Sequence, residues 1–235
     1  MALDLLAVQT EAKSQLLLQI WLSPSFPAGA FAYSHGLERA VEAGLITDRA
    51  SLAGWIADLV AAGSIRNDLI LAAVAWRAVA ADDISAQREA AELAAALHPS
   101  AERRLESITQ GGSFCDAVAA AWPTPAVNRL RVVWDGGIAY AIAVATAAAG
   151  HGVGLVPLLD AYAAAIAGNL NSAAIRLSVI GHSDAQRVVA GLLPALSAAA
   201  RAAAVSTLDD LGSATWSADL CSLEHETQYT RLFRS

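Results

Sequence analysis

Three groups of residues have types and spacings that could do chemistry. In the first, Gly181-His182-Ser183-Asp184-Ala185 follows the G-x-S-x-(small) pattern of a nucleophile elbow, in which a serine sits on a sharp strand-to-helix turn. Arg176 to Ile180 could supply the strand, and Asp209 or Asp219 and then His225 follow in hydrolase chain order. The elbow needs a parallel sheet beneath it, and the upstream chain offers helical patterns where strands are required. The competing reading is a helix break at Gly181, with Ser183 capping the next helix and Gln186 completing a capping box. A non-catalytic chain is the expectation, and a serine hydrolase acting through Ser183 is the alternative.

The second group is Cys221 and His225, four apart on one helical face with Glu224 beside them, a spacing that suits a soft divalent metal. No third ligand stands at matching spacing, so a buried cysteine near a solvated helix end is expected. Neither a metal nor a cofactor is predicted. The third group is scattered. His35 has no identifiable partner and reads as a capping or packing residue. His98, before a proline, and His151, between glycines, read as turn residues. The pairs Glu38/Glu42 and Glu102/Glu106 read as solvated helix faces, with Arg103 and Arg104 pairing at the surface. There is no G-x-x-x-x-G-K-[ST], so GTP hydrolysis by a P-loop is excluded.

The elements that must position these groups read as helices throughout. Leu16, Leu17, Ile20 and Trp21 fit one apolar face, which Ser23 to Gly29 ends with two prolines and a glycine. Further helices fit Ser34 to Ala43, a segment capped by Asp48 or Ser51 that carries Leu52, Trp55, Ile56 and Leu59, and then 68–80, 84–97 and 101–121. Val127 to Ala149, Val156 to Asn169, Ala173 to Ile180, Asp184 to Ala204 and Ser217 to Glu226 follow. Gly111-Gly112 inside a helical pattern predicts a close helix approach or a kink. No strand alternation, repeat or long linker interrupts the series. The prediction is one compact all-α domain of about ten helices over residues 1–226, followed by a tail over 227–235.

Composition sets the remaining bounds. Of 235 residues, 56% are hydrophobic, enough for a sizeable core, and only 16% are charged, so partners are expected to cover part of the surface. A net charge of −7 argues against a nucleic-acid footprint and against docking on an anionic membrane. Lys13 is the sole lysine, and the other cations are arginines, suited to planar pairing. Two cysteines make no disulfide framework, and Met1 to Thr10 has no basic region of a signal peptide, so the cytoplasm is the expected compartment. Gly136 to Leu159 contains no charge and is long enough to span a bilayer, yet it is rich in Ala and Gly and is broken by His151, Gly152, Gly154 and Pro157. It reads as two interior helices joined at Gly150 to Gly154.

Three segments together resemble the UreF family of urease accessory proteins. Ser23-Pro24-Ser25-Phe26-Pro27-Ala28-Gly29-Ala30-Phe31-Ala32-Tyr33-Ser34-His35-Gly36-Leu37-Glu38 is similar to the family's opening signature. Arg176 to Gln186 resembles its Arg-Leu-x-Pro-Leu-Gly-Gln segment, with His182 where glutamine is usual. His225-Glu226-Thr227-Gln228-Tyr229-Thr230-Arg231-Leu232-Phe233-Arg234-Ser235 is the most specific match, and Trp55 and Asp68 also sit where the family has Trp and Asp. The resemblance implies an all-α homodimer that binds UreD (UreH in some organisms). That pair would recruit the GTPase UreG and couple GTP hydrolysis to nickel delivery into the urease apoprotein. It also implies partner-binding roles for His225, Glu226, Gln228, Tyr229, Arg231, Leu232, Phe233 and Arg234 in the tail region, and for Phe26, Phe31, Tyr33, His35 and Glu38 in the opening segment.

On residue types alone the tail is either a frayed end or a docking peptide, since Tyr, Phe and Arg are enriched at interface hot spots. The expectation is a peptide that stays loose until another chain clasps it. Burial of Tyr229, Leu232 and Phe233, at about 1.5–3 kcal/mol each, would then offset the ordering of the backbone. Phe26 and Phe31 read as apolar anchors flanking a turn that Pro24 and Pro27 stiffen, facing a partner or the chain's own core.

Overall fold

The computed structural model describes residues 2–235, with side chains described from Glu11 onward. The reading of Met1 to Thr10 as no leader therefore lies outside the described side chains. The described residues form α-helices and two short 3-10 turns, with no strand. The helices are α1 (Ala2–Trp21), α2 (Leu37–Glu42), α3 (Arg49–Ala62), α4 (Ser64–Ala80), α5 (Ile84–Ala96), α6 (Ala101–Ala121), α7 (Pro125–Val133), α8 (Tyr140–Gly150), α9 (Leu155–Arg176), α10 (His182–Ala203) and α11 (Trp216–His225).

The expected all-α architecture holds, and the centre of it is α8. Every residue from Tyr140 to Ala148 is buried, the signature of a helix apolar on all sides. It packs on α4, α6 and α7, while α9 pairs with α10 alongside. The uncharged stretch read as two interior helices is α8 and the start of α9, joined across residues 151–154. The continuous stretch Arg49–Ala80, which covers α3 and α4, is long and apolar enough to cross a membrane, but most of it is buried inside this fold.

Caps follow local chemistry. Asp48 accepts from the Ser51 N–H at 2.8 Å and Ser51 returns the bond, a complete capping box for α3. Asp83, Ser100 and Thr124 cap α5, α6 and α7, the last with Pro125 in the first turn. Gly111 is a close-approach residue, because a Cβ there would collide with the Ile138 carbonyl, whereas Gly112 faces open space.

Several boundaries differ from the sequence reading. The span 127–149 is two helices, α7 and α8, because Trp134 to Ala139 turns away, with the Trp134 indole N–H bonded to the Gly137 carbonyl at 3.1 Å. The span 156–169 and residues 173–176 of the next are one helix, α9, because Asn171 returns its side-chain NH₂ to the Ala167 carbonyl at 2.8 Å and the ladder is unbroken, while 177–180 is a turn. On α1 the buried face is Leu17, Leu18 and Trp21, and Leu16 and Ile20 point outward. At α10 the cap residue is Gly181 with no side-chain bond, so Ser183 lies inside the first turn and caps nothing.

Candidate partner-binding site

The opening segment and the tail, far apart in sequence, meet at one place. The residues Tyr33-Ser34-His35-Gly36 form a tight turn in which His35 (φ 60°) and Gly36 (φ 75°) are both left-handed. A side chain at Gly36 would press on the Ser222 backbone, so α11 lies directly against the turn. The turn delivers Glu38 in the first turn of α2 and His35 just before it, both buried. Helix α6 brings Glu102, Arg103 and Glu106 to the same spot, and α11 brings His225, which is fully buried.

Two linked clusters result. In one, His225 lies between two carboxylates, with Nδ1 2.6 Å from Glu102 and Nε2 3.2 Å from Glu38. In the other, the buried Glu106 carboxylate accepts from Arg103, from Gln110 at 3.1 Å and from the Ser235 hydroxyl at 2.6 Å, and lies 2.8 Å from His35 Nδ1. Burial alone would push the Glu106 carboxyl up, but the Arg103 guanidinium, His35 and Ser235 more than reverse this and hold it well below the usual range. Burial pushes Asp68 up, against the opposing pull of Arg103 and His35, and its carboxylate accepts from the Tyr162 hydroxyl at 3.1 Å.

These positions correct the expectation of solvated faces. Glu38, Arg103 and Glu106 are interior, Glu102 is largely so, and Glu42 and Arg104 alone stay outside as read. His35, left without a partner by local spacing, pairs with Glu106. His225 ends α11 in the interior and not at a solvated end, and Cys221 is buried, with its thiol pushed up by burial. Among the described residues no group of three or more His, Cys, Asp or Glu side chains is arranged to hold a metal ion.

The tail is the largest correction. It is not loose, because the interior supplies acceptors for its backbone. The N–H groups of Leu232 and Phe233 donate to the two Glu38 oxygens at 2.7 and 2.9 Å. The Arg234 N–H donates to the Ala32 carbonyl at 2.9 Å, and the Ser34 N–H to the Ser235 carbonyl at 3.0 Å. Arg231 pairs with Glu102. Phe233 is buried beneath the Arg176 guanidinium, 4.2 Å from its ring centroid, which is cation–π geometry. Tyr229 is fully exposed and Leu232 is 55% exposed, so two of the tail's three large apolar side chains face outward. On α11 beside it, Trp216, Leu220 and Leu223 are exposed at helical spacing.

The remaining residues of the opening segment divide. Phe26 is in the core, tilted against Phe114 at 5.1 Å, and Tyr33 is buried, while Phe31 is 69% exposed. Glu226 is half-buried and accepts from the Ala101 N–H at 2.7 Å, and Gln228 is half-buried, its amide bonded to the Thr230 carbonyl. The hydrolase arrangement is absent: Arg176 to Ile180 is a helix end and turn, not a strand, and His225, the would-be triad base, is committed to Glu38 and Glu102.

His98 carries a pH prediction. Burial pulls its imidazole down to about 4 from an ordinary 6.5, with Arg103 adding to the shift. The unfolded chain takes the proton near pH 6.5 and the folded chain refuses it until about 4, so stability falls as the pH drops through that window. Asp68, raised by burial, works in the opposite direction. Comparing the chain with His98→Asn isolates the histidine: urea titrations should show the wild type losing about 2 kcal/mol more than the variant between pH 7 and 4. Parallel pH profiles would refute the assignment.

Comparison with known proteins places the chain among close relatives. A family model described as UreF matches residues 46–193. The chain is 54% identical to the urease accessory protein UreF of Xanthobacter autotrophicus, over 94% of this chain and 91% of that protein. It is 50% identical to the one of Methylobacterium radiotolerans over 96% and 98%, and 51% identical to the one of Azorhizobium caulinodans over 94% and 96%.

Proposed function

Since the chain belongs to the UreF family of urease accessory proteins and serves urease maturation without a catalytic site of its own, we propose that it acts as a helical scaffold in a nickel-loading assembly. Its partners in this reading are UreD (UreH), the GTPase UreG, the urease apoprotein and a second copy of itself, in the cytoplasm. Nickel is cargo of the assembly and not a resident ligand of this chain.

One observation carries the reading for UreD: Trp216, Leu220 and Leu223 on α11, and Tyr229 and Leu232 in the tail that follows it, are exposed large apolar side chains on an ordered backbone that His225, Glu38 and Glu102 tie together beneath. Large side chains fully exposed on an ordered backbone are suited to anchoring a partner, since little further ordering is needed on binding. Phe31, Arg231 and Arg234 are exposed as well. Of the other residues first read as partner contacts, Phe26, Tyr33, His35, Glu38, His225 and Phe233 are interior and Glu226 and Gln228 half-buried, and their contribution is to hold that face in shape.

The test is copurification with UreD. Deleting 227–235 should abolish it, but deletion also uncovers Glu38 and Glu106. The cleaner variant is Tyr229→Ala with Leu232→Ala, both exposed. It should leave the melting temperature unchanged and weaken UreD binding by at least about 30-fold, the effect of losing a hot-spot residue. Unchanged affinity would remove the tail from the interface.

A further inference from the structure

We propose that Glu38 is the catch of a latch, a positioning residue that keeps 229–235 closed over the start of α2, with Phe233 inside and Tyr229 and Leu232 outside. The tail has no helix or strand to hold it. Five hydrogen bonds to the backbone groups of residues 232–235 fasten them to the body, and two of the five end on the Glu38 carboxylate. Both oxygens are used, one for each N–H. The carboxylate is buried, so no water competes for those donors at equal strength. It is itself held from behind by His225, whose other nitrogen meets Glu102, and Glu102 receives Arg231 from the tail. The circuit therefore begins and ends on the tail, and Glu38 is the member that fixes its backbone.

The arrangement also sets which side chains face out. The chain bends at Leu232 and Phe233, so their consecutive N–H groups face one carboxylate while the two side chains part. With the Leu232 and Phe233 N–H groups pinned to two oxygens of one carboxylate, Phe233 is committed inward beneath Arg176, and Leu232 outward. Glutamine at position 38 keeps the shape and one acceptor, but turns an NH₂ onto a backbone donor. A buried N–H then loses its partner, and the segment opens.

The experiment is amide hydrogen exchange by NMR on the full chain. In Glu38→Gln, the Leu232 and Phe233 amides should exchange at least about tenfold faster, while Ala143 in α8 and Ala167 in α9 keep their rates. Glu102→Gln, which removes the support behind His225, should give a smaller acceleration at the same two amides. Unchanged rates at Leu232 and Phe233 in both variants would overturn the proposal. So would equal acceleration at Ala143, which would mean global loosening and no latch. A second arm, affinity for purified UreD, rests on the scaffold reading: Glu38→Gln should weaken binding although Glu38 is shielded from any partner. Faster exchange with undiminished affinity would leave the latch standing and remove the tail from the UreD interface.

Discussion

Trp21→Ala should destabilise the fold by about 3–5 kcal/mol, lowering the melting temperature by roughly 10 °C for a chain of this size. Trp21 is fully buried and is the largest side chain in that state. It closes α1 onto the body through edge-on contacts with Phe114 at 6.0 Å, Trp122 at 6.2 Å and His151 at 5.2 Å, so truncation leaves a cavity bounded by three elements that cannot collapse together. Trp21→Phe is the informative control. The indole Nε1 has no hydrogen-bond partner among the described residues, and removing that orphan donor offsets part of the lost volume. It should therefore cost less than about 1.5 kcal/mol. A Phe variant as unstable as the Ala variant would show that the indole is bonded after all. An Ala variant within 1 kcal/mol of wild type would show that α1 is not part of the cooperative core.

How far the fold can be read from sequence follows the range of the interactions involved. Helices fixed by local chemistry are legible: Asp48 with Ser51 starts α3, and Thr124-Pro125 starts α7. Helices fixed by tertiary packing are less so. The apolar residues of α1 lie on both sides of the helix, and only the neighbours decide that Leu18 goes in and Leu16 out. Asn169 to Asn171 looks like a break until the Asn171 NH₂ is seen to bond back to the Ala167 carbonyl inside α9. The candidate site was located by its segments but misread in its energetics. Glu102/Glu106 has the four-residue spacing of a solvated pair, and nothing nearby in sequence says otherwise. What buries Glu38 is His225, 187 residues away, and what buries the tail is Glu38 in turn. A carboxylate flanked by Gly36, Leu37 and Ala40 was a hint, since its neighbours on that side are small or apolar.

The same reasoning makes Arg103→Ala a sharp test of that interior. Arg103 and Glu106 lie one helical turn apart on α6, at 5% and 1% side-chain exposure, and the guanidinium is the strongest influence keeping Glu106 ionised against burial. Removing one partner of a buried pair leaves an uncompensated charge, so Arg103→Ala should cost about 3–5 kcal/mol at pH 7, in contrast to the fraction of that expected for an exposed pair such as Arg187–Asp184. The loss must depend on pH. Because the folded Glu106 carboxyl lies below its ordinary value of 4.5, the pair's contribution is complete above that pH and fades as the pH falls toward the folded value. In the variant that contribution is gone, so the stability curves of wild type and Arg103→Ala should converge on acidification. Adding Glu106→Gln to Arg103→Met removes both charges while keeping the volume, and this double variant should be more stable than either single one. The Glu106 carboxylate also accepts from Ser235, so the single variants should loosen the tail as well, and the double variant, with an amide in place of the carboxylate, should not fully restore it. Urea titrations from pH 7 down to pH 2, across the window below 4.5, decide the matter: a gap between wild type and Arg103→Ala that stays constant through that window would mean that packing of the arginine stem, and not its charge, holds the cluster together.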